Sequence, residues 1–136
     1  MDLTVSYASV SEAVLAVPTV AAVGGRTQWD VGNPVDAGAT PVGVPAGMVR
    51  HDPGDLTATV RAGTTVADLD AALAEHGQFV PLDAADPAAT VGGVLACGLS
   101  GPRRLRYGPA RDTVLGIRFV AGDGRLVHAG GPTVKN

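Results

Sequence analysis

The amino-acid sequence predicts a mixed domain of short helices and strands around a core of small side chains. Three observations lead there. The alternating run L-T-A-T-V-R passes almost directly into V-A-D-L-D-A-A-L, which has helical spacing, so both periodicities occur side by side. Hydrophobic residues make up 46% of the 136 residues but aromatics only 4%, so the interior is mostly Ala and Val. Nineteen glycines and ten prolines supply frequent turns, which keeps each element short. The length suits one domain, or part of a larger one.

The elements follow in order. Leu3-Thr4-Val5 reads as a short strand. Ser9-Val10-Ser11-Glu12 has the form of a capping box, with Ser9 as N-cap. Val10, Ala13, Val14 and Val17 then share one helical face, and Pro18 stops the helix. Thr19 to Val23 is an apolar run read as a buried strand that breaks at Gly24-Gly25. Residues 30–41 are loop-like, Val42-Gly43-Val44 is a short strand, and Met48 to His51 is another, ending in the turn Asp52-Pro53-Gly54-Asp55. Leu56 to Arg61 alternates apolar and polar residues and predicts a half-buried strand. Thr65 and Asp68 suit the N-cap and N3 positions of a helix whose Val66, Leu69 and Leu73 line one face and which Gly77 ends. Gln78 to Leu82 is extended and Asp83 to Pro87 is a polar loop. Thr113 to Val120, the turn Gly122-Asp123-Gly124 and Arg125 to Ala129 form a hairpin.

Charge and cysteine content exclude several classes. Thirteen acidic against ten basic residues give a net charge of −3, which argues against a general nucleic-acid surface. A single cysteine, Cys97, excludes an intrachain disulfide framework and a zinc site built on several thiolates. It fits a reducing compartment. Its place in V-L-A-C predicts a buried, inert thiol. The N-terminus lacks the pattern of a signal peptide. No apolar run of about 18 residues is present, so no transmembrane helix is expected. A cytoplasmic protein is expected. His51 and Asp52 are adjacent on a strand and point apart, so they read as turn structure rather than a catalytic pair. His76 lies in the last turn of its helix, where the dipole favours it.

Two glycine-rich sites stand out. From Ala89 to Asp112 runs A-T-V-G-G-V-L-A-C-G-L-S-G-P-R-R-L-R-Y-G-P-A-R-D, with four of the ten basic residues. Backbone amides made accessible by glycine, beside guanidinium groups, suit an anionic ligand with an extended body. A nucleotide cofactor and a surface loop with solvated arginines both satisfy this composition. The second site is Gly24-Gly25-Arg26-Thr27, a turn after an apolar strand whose amides can wrap a phosphate. It is neither a Walker A loop nor G-x-G-x-x-G.

The succession of these segments resembles a known family. An apolar strand ends in Gly24-Gly25-x-Thr27; V-R-A-G-T-T precedes a helix closed by H-G; then come A-T-V-G-G-V-L-A, S-G-P-R-R-L-R-Y-G, R-D-T-V-L-G and D-G-R-L-V-H-A-G-G. This resembles the FAD-binding domain of FAD-linked oxidases of the vanillyl-alcohol oxidase type, the PCMH-type fold. Within it the chain is most similar to FAD-binding small subunits of bacterial glycolate oxidases. The resemblance implies an α+β fold of two small α/β subdomains, here about 1–80 and 81–136, the second incomplete. It implies non-covalent FAD, because no histidine stands between His76 and His128. The pyrophosphate maps to Val23, Gly24, Gly25, Arg26 and Thr27, with Arg26 where a third glycine is usual. The flavin side maps to Thr90, Gly92, Gly93, Ala96, Gly98, Ser100 and Gly101, closed by Tyr107, Gly108 and Asp112. No side chain is singled out for chemistry and no metal is expected. The resemblance further implies other subunits, one flavin-containing and one iron–sulfur, a small 2-hydroxy acid as substrate of the complex, and peripheral association with the inner membrane through it. In the family the domain continues beyond a V-K-N motif, so the chain ending at Asn136 reads as truncated. A module that keeps the fold for assembly alone, without redox activity, is the alternative.

Overall fold

The computed structural model describes residues 3–131, with side chains from Tyr7 onward. The terminal Thr133-Val134-Lys135-Asn136, which carries the V-K-N motif, lies outside the described residues. The chain begins with helix α1 (Leu3–Leu15), followed by strands β1 (Val20–Val23), β2 (Thr40–Gly43), β3 (Met48–Asp52) and β4 (Thr57–Val60). Helix α2 (Val66–Ala74), helix α3 (Val91–Cys97), a short helix α4 (Arg104–Tyr107) and a 3-10 turn at Ala110–Thr113 come next, and β5 (Gly116–Val120) and β6 (Leu126–Gly130) close the described chain. The result is the α+β architecture expected from the sequence.

The strands pair two by two. β1 and β2 are parallel, from Val20 opposite Thr40 to Val23 opposite Gly43. β3 and β4 form an antiparallel hairpin with a register shift between Met48 and Arg50. β5 and β6 form a second hairpin, Gly116 opposite Gly130 through Val120 opposite Leu126. At its turn Gly124 adopts φ +79, and the Asp123 carboxylate accepts from Arg125 Nε at 2.6 Å. That hydrogen bond, together with one from the Arg125 amide, holds Asp123 below the usual carboxylate range.

Two-stranded sheets are marginal alone, so the buried interior lies elsewhere. It is built from Val66, Leu69 and Leu73 of α2 and Val91 and Val94 of α3, with Leu82, Ala89 and Ala110. The periodic face of α2 is therefore the one that packs. Thr65 caps α2 by accepting from the Asp68 amide at 3.0 Å. At the other end, Gln78 N–H bonds to Leu73 O at 3.1 Å and Gly77 N–H to Ala74 O at 2.9 Å, with Gly77 at φ +66. These are the two bonds of a Schellman end, which needs a left-handed residue where glycine stands. His51 and His76 meet edge to face at 4.9 Å, and His51 Nε2 bonds to Gln78 Oε1 at 2.9 Å, so the end of β3 is fastened to the end of α2.

Several local expectations are corrected. Leu3 to Val5 lie in α1, not in a strand; three residues without a ladder partner cannot satisfy their backbone, whereas a helix does so locally. Ser9 consequently sits inside α1 rather than at its N-cap. Ser11 Oγ donates to Gly124 O at 2.7 Å, tying α1 to the β5–β6 turn. Leu56 is a turn residue at φ +55 and 78% exposed. The β4 side chains do not alternate in and out, because Ala58 and Thr59 are both exposed. Cys97 is exposed rather than buried: α3 turns Val91 and Val94 inward and leaves Ala96 and Cys97 outside. Among the described residues no helix is long and apolar enough to cross a membrane, and no cluster of metal-ligating side chains is present.

Truncation of Leu69, 4% exposed in the middle of this core, should cost about 2–5 kcal/mol. Denaturant unfolding of Leu69→Ala checks this; a midpoint equal to that of the parent protein would contradict the assigned core.

Candidate functional site

The two glycine-rich sites, far apart in sequence, meet at Thr90. Thr65 and Thr90 form an antiparallel bridge. Three backbone bonds hold it: Val66 N–H to Ala89 O at 2.9 Å, Val91 N–H to Thr64 O at 2.8 Å and Gly92 N–H to Ala62 O at 2.9 Å. Thr90 is 7% exposed and caps α3, its Oγ1 accepting from Gly93 N–H at 3.2 Å. Neighbouring Thr64 is also buried and braces the bridge through Gly47, whose N–H it accepts at 2.8 Å.

Glycine is required where backbones touch. A Cβ on Gly24 would run into the Thr90 hydroxyl, and one on Gly25 into the Ala88 carbonyl. A Cβ on Gly92 would lie 2.8 Å from the Ala62 Cβ. The turn after β1 is thus pressed against the segment that starts α3. Past that contact the chain turns outward. Arg26 adopts φ +57, and its guanidinium lies 5.1 Å from the centre of the Trp29 ring. Gly24, Gly25 and Arg26 are exposed and Thr27 is half-buried. Among the described residues, none of these four amides has an acceptor. Four successive free amides beside one cation suit a phosphate or pyrophosphate.

The other expected residues form a second group, around Asp83. Gly101 packs so closely that a Cβ would lie 2.5 Å from the Asp83 Cβ. Asp83 accepts from the Arg103 amide at 2.7 Å and pairs with Arg103 Nε at 3.4 Å. Arg103 also covers the Phe79 ring at 5.4 Å, and Phe79 meets Tyr107 edge to face at 5.6 Å. Gly108 has φ +83 and abuts the Asp112 carboxylate, while Ser100 Oγ accepts from Ala110 N–H at 3.4 Å. Gly98 ends α3 at φ +62. Among the described residues no hydrogen bond joins this group to Gly24–Thr27; α3 and the 3-10 turn packed against it are what link them.

Sequence reasoning missed α3 itself, because Gly92 and Gly93 each disfavour a helix by about 1 kcal/mol. It also missed Ala62, Ala88 and Asp83. The Thr90-x-x-Gly93 cap was the available signal for α3; nothing local marked the other three.

These features are those of a flavin-nucleotide-binding domain. A family model described as FAD binding domain matches residues 6–130, and the chain belongs to that family. Over 129 residues it is 36% identical to glycolate oxidase subunit GlcE of Escherichia coli, spanning 93% of this chain and 37% of that protein. It is 40% identical over 85 residues to D-lactate dehydrogenase of Archaeoglobus fulgidus, spanning 62% of this chain and 19% of that one. The chain therefore spans little more than a third of the length of the first of these relatives and about a fifth of the second. The fold is shared with crystalline 6-hydroxy-D-nicotine oxidase from Arthrobacter nicotinovorans: TM-score 0.74 at 19% identity, over 92% of this chain and 28% of that one.

Arg26 holds a left-handed conformation that costs a non-glycine residue about 1–2 kcal/mol. Arg26→Gly should therefore raise stability by about 1 kcal/mol, net of an exposed cation–π contact worth about 0.5 kcal/mol. Thermal unfolding reads this directly, and a lower midpoint would show that the Trp29 contact outweighs the backbone strain.

Proposed function

We propose that the chain is the FAD-binding part of a flavin-dependent oxidoreductase acting on a small 2-hydroxy acid, as a glycolate oxidase-type subunit. The observation that carries the cofactor site is the row of unpaired amides from Gly24 to Thr27, pressed into place against Thr90. Val23 anchors this row at the end of β1, and the amides of Gly24, Gly25, Arg26 and Thr27 would hold the pyrophosphate, with the Arg26 guanidinium adding charge. Thr90, Gly92, Gly93, Ala96, Gly98, Ser100 and Gly101 would form the flavin-side wall, with Tyr107, Gly108 and Asp112 closing it. With FAD held by these residues, the redox chemistry, hydride uptake from a substrate carbon, would be the flavin's. The chain's own residues bind and orient: small side chains permit close approach, and amide dipoles balance phosphate charge.

FAD is held without a covalent bond in this reading, since the described site brings no histidine to the glycine turns. The substrate class rests on the names of relatives, which include glycolate oxidase, D-lactate dehydrogenase and D-2-hydroxyglutarate dehydrogenase. All three act on 2-hydroxy acids by name. Other oxidase subunits as partners, peripheral attachment to a membrane through them, and a division into subdomains near residue 80 belong to the same proposal.

FAD titration, followed by flavin absorbance and fluorescence, tests the cofactor seat. Arg26→Asp changes only an exposed side chain and places a like charge beside the phosphates; it should weaken binding at least about tenfold, or about 1.4 kcal/mol. Acid precipitation should release all the flavin. A folded chain whose FAD affinity is the same with Arg26→Asp would sink the assignment of Gly24–Thr27.

A further inference from the structure

Helix α4 ends at Tyr107 on the proposed flavin side, but its Arg104, Leu105 and Arg106 are assigned no part in cofactor binding. Leu105 is 90% exposed, the most exposed of the large hydrophobic side chains. It stands between Arg104 and Arg106, neither of which forms an ion pair among the described residues. The ridge is held firmly from below. Arg106 covers Tyr107 at 5.5 Å, Tyr107 meets Phe79, and Arg103 is stacked on Phe79 and bonded to Asp83. An ordered aliphatic tip flanked by arginines and aromatics has the composition of an interface hot spot.

A groove of about 320 Å³ lies directly beside the ridge, sharing Arg103 and Asp83 with it. Ala84, Ala85 and Pro87 give it an apolar rim over the buried Val66 and Leu82, and Asp70 and Asp86 add negative charge. Asp70 uses Oδ1 to accept from Val80 N–H at 3.1 Å, and Asp86 uses Oδ1 to accept from Ala88 N–H at 2.8 Å. The Oδ2 atom of each carboxylate has no partner among the described residues. The groove thus offers what the ridge lacks: free carboxylate oxygens for two guanidinium groups, beside an alanine–proline rim for the leucine. An acidic groove beside the ridge also disfavours a nucleic acid or an anionic membrane as occupant.

We propose that the ridge docks into the groove of a second copy of this chain, forming a two-fold dimer. Adjacency of knob and hole is what a two-fold contact needs, since each copy then gives its Leu105 and receives the other's. The proposal does not rest on the FAD reading.

Sedimentation velocity of the full chain from low to high micromolar concentration tests it. The expected result is a monomer–dimer equilibrium that weakens with added salt. Leu105→Asp and Arg106→Glu should each raise the dissociation constant at least about tenfold, with thermal unfolding at a concentration where the parent is monomeric nearly unchanged because both side chains are exposed. Adding Asp86→Arg to Arg106→Glu should restore the dimer. A monomer throughout the range, open-ended larger assemblies, or a dimer indifferent to Leu105→Asp would each overturn the proposal.

Discussion

The antiparallel bridge between Thr65 and Thr90 is the constraint on which the rest of the structure depends. It is short, yet it starts both principal helices. Each threonine caps one of them, at 3.0 Å and 3.2 Å, and such a cap contributes about 1 kcal/mol. The bridge also sets α2 against α3, which brings Val66, Leu69 and Leu73 onto Val91 and Val94. Among the described residues the sheets are all two-stranded, so none of them organises the interior as this bridge does.

The glycines follow from that constraint. Gly24, Gly25 and Gly92 are places where another backbone or a threonine hydroxyl already occupies the space of a Cβ. Their first role is to let segments of this chain approach one another. The proposed phosphate seat would be a consequence: once Gly24 and Gly25 are pressed on Ala88 and Thr90, the amides beyond them are left without acceptors among the described residues. Arg26 shows that the backbone path is dictated from outside, since it holds φ +57 without being glycine.

Much of this was legible in the sequence, for reasons that differ by element. Helix α2 combines a cap, a periodic face and a terminating glycine, and it forms as expected. The β5–β6 hairpin is marked by D-G and β-rich flanks and forms where expected, although β5 starts three residues later than expected because Thr113 belongs to the 3-10 turn. Helix α3 was hidden because glycine reports a close approach and a broken helix in the same way; contact with Ala62 decided it. Cys97 misled because an apolar run says nothing of which helical face packs. The meeting of Gly24–Gly25 with Ala88–Thr90 joins residues more than sixty positions apart, beyond any local pattern. Asp83, which fixes Gly101 and Arg103, sits in a loop whose composition marks only a turn.

The central claim is that the amides freed by the Thr90 contact are where the cofactor's phosphates bind. Amide chemical-shift mapping of the isotopically labelled chain on addition of FAD measures this most directly. The account predicts the largest shifts at Gly24, Gly25, Arg26 and Thr27, with smaller ones at Thr90, Gly92 and Gly93. Shifts confined to Arg103–Asp112, with Gly24–Thr27 unmoved, would contradict it.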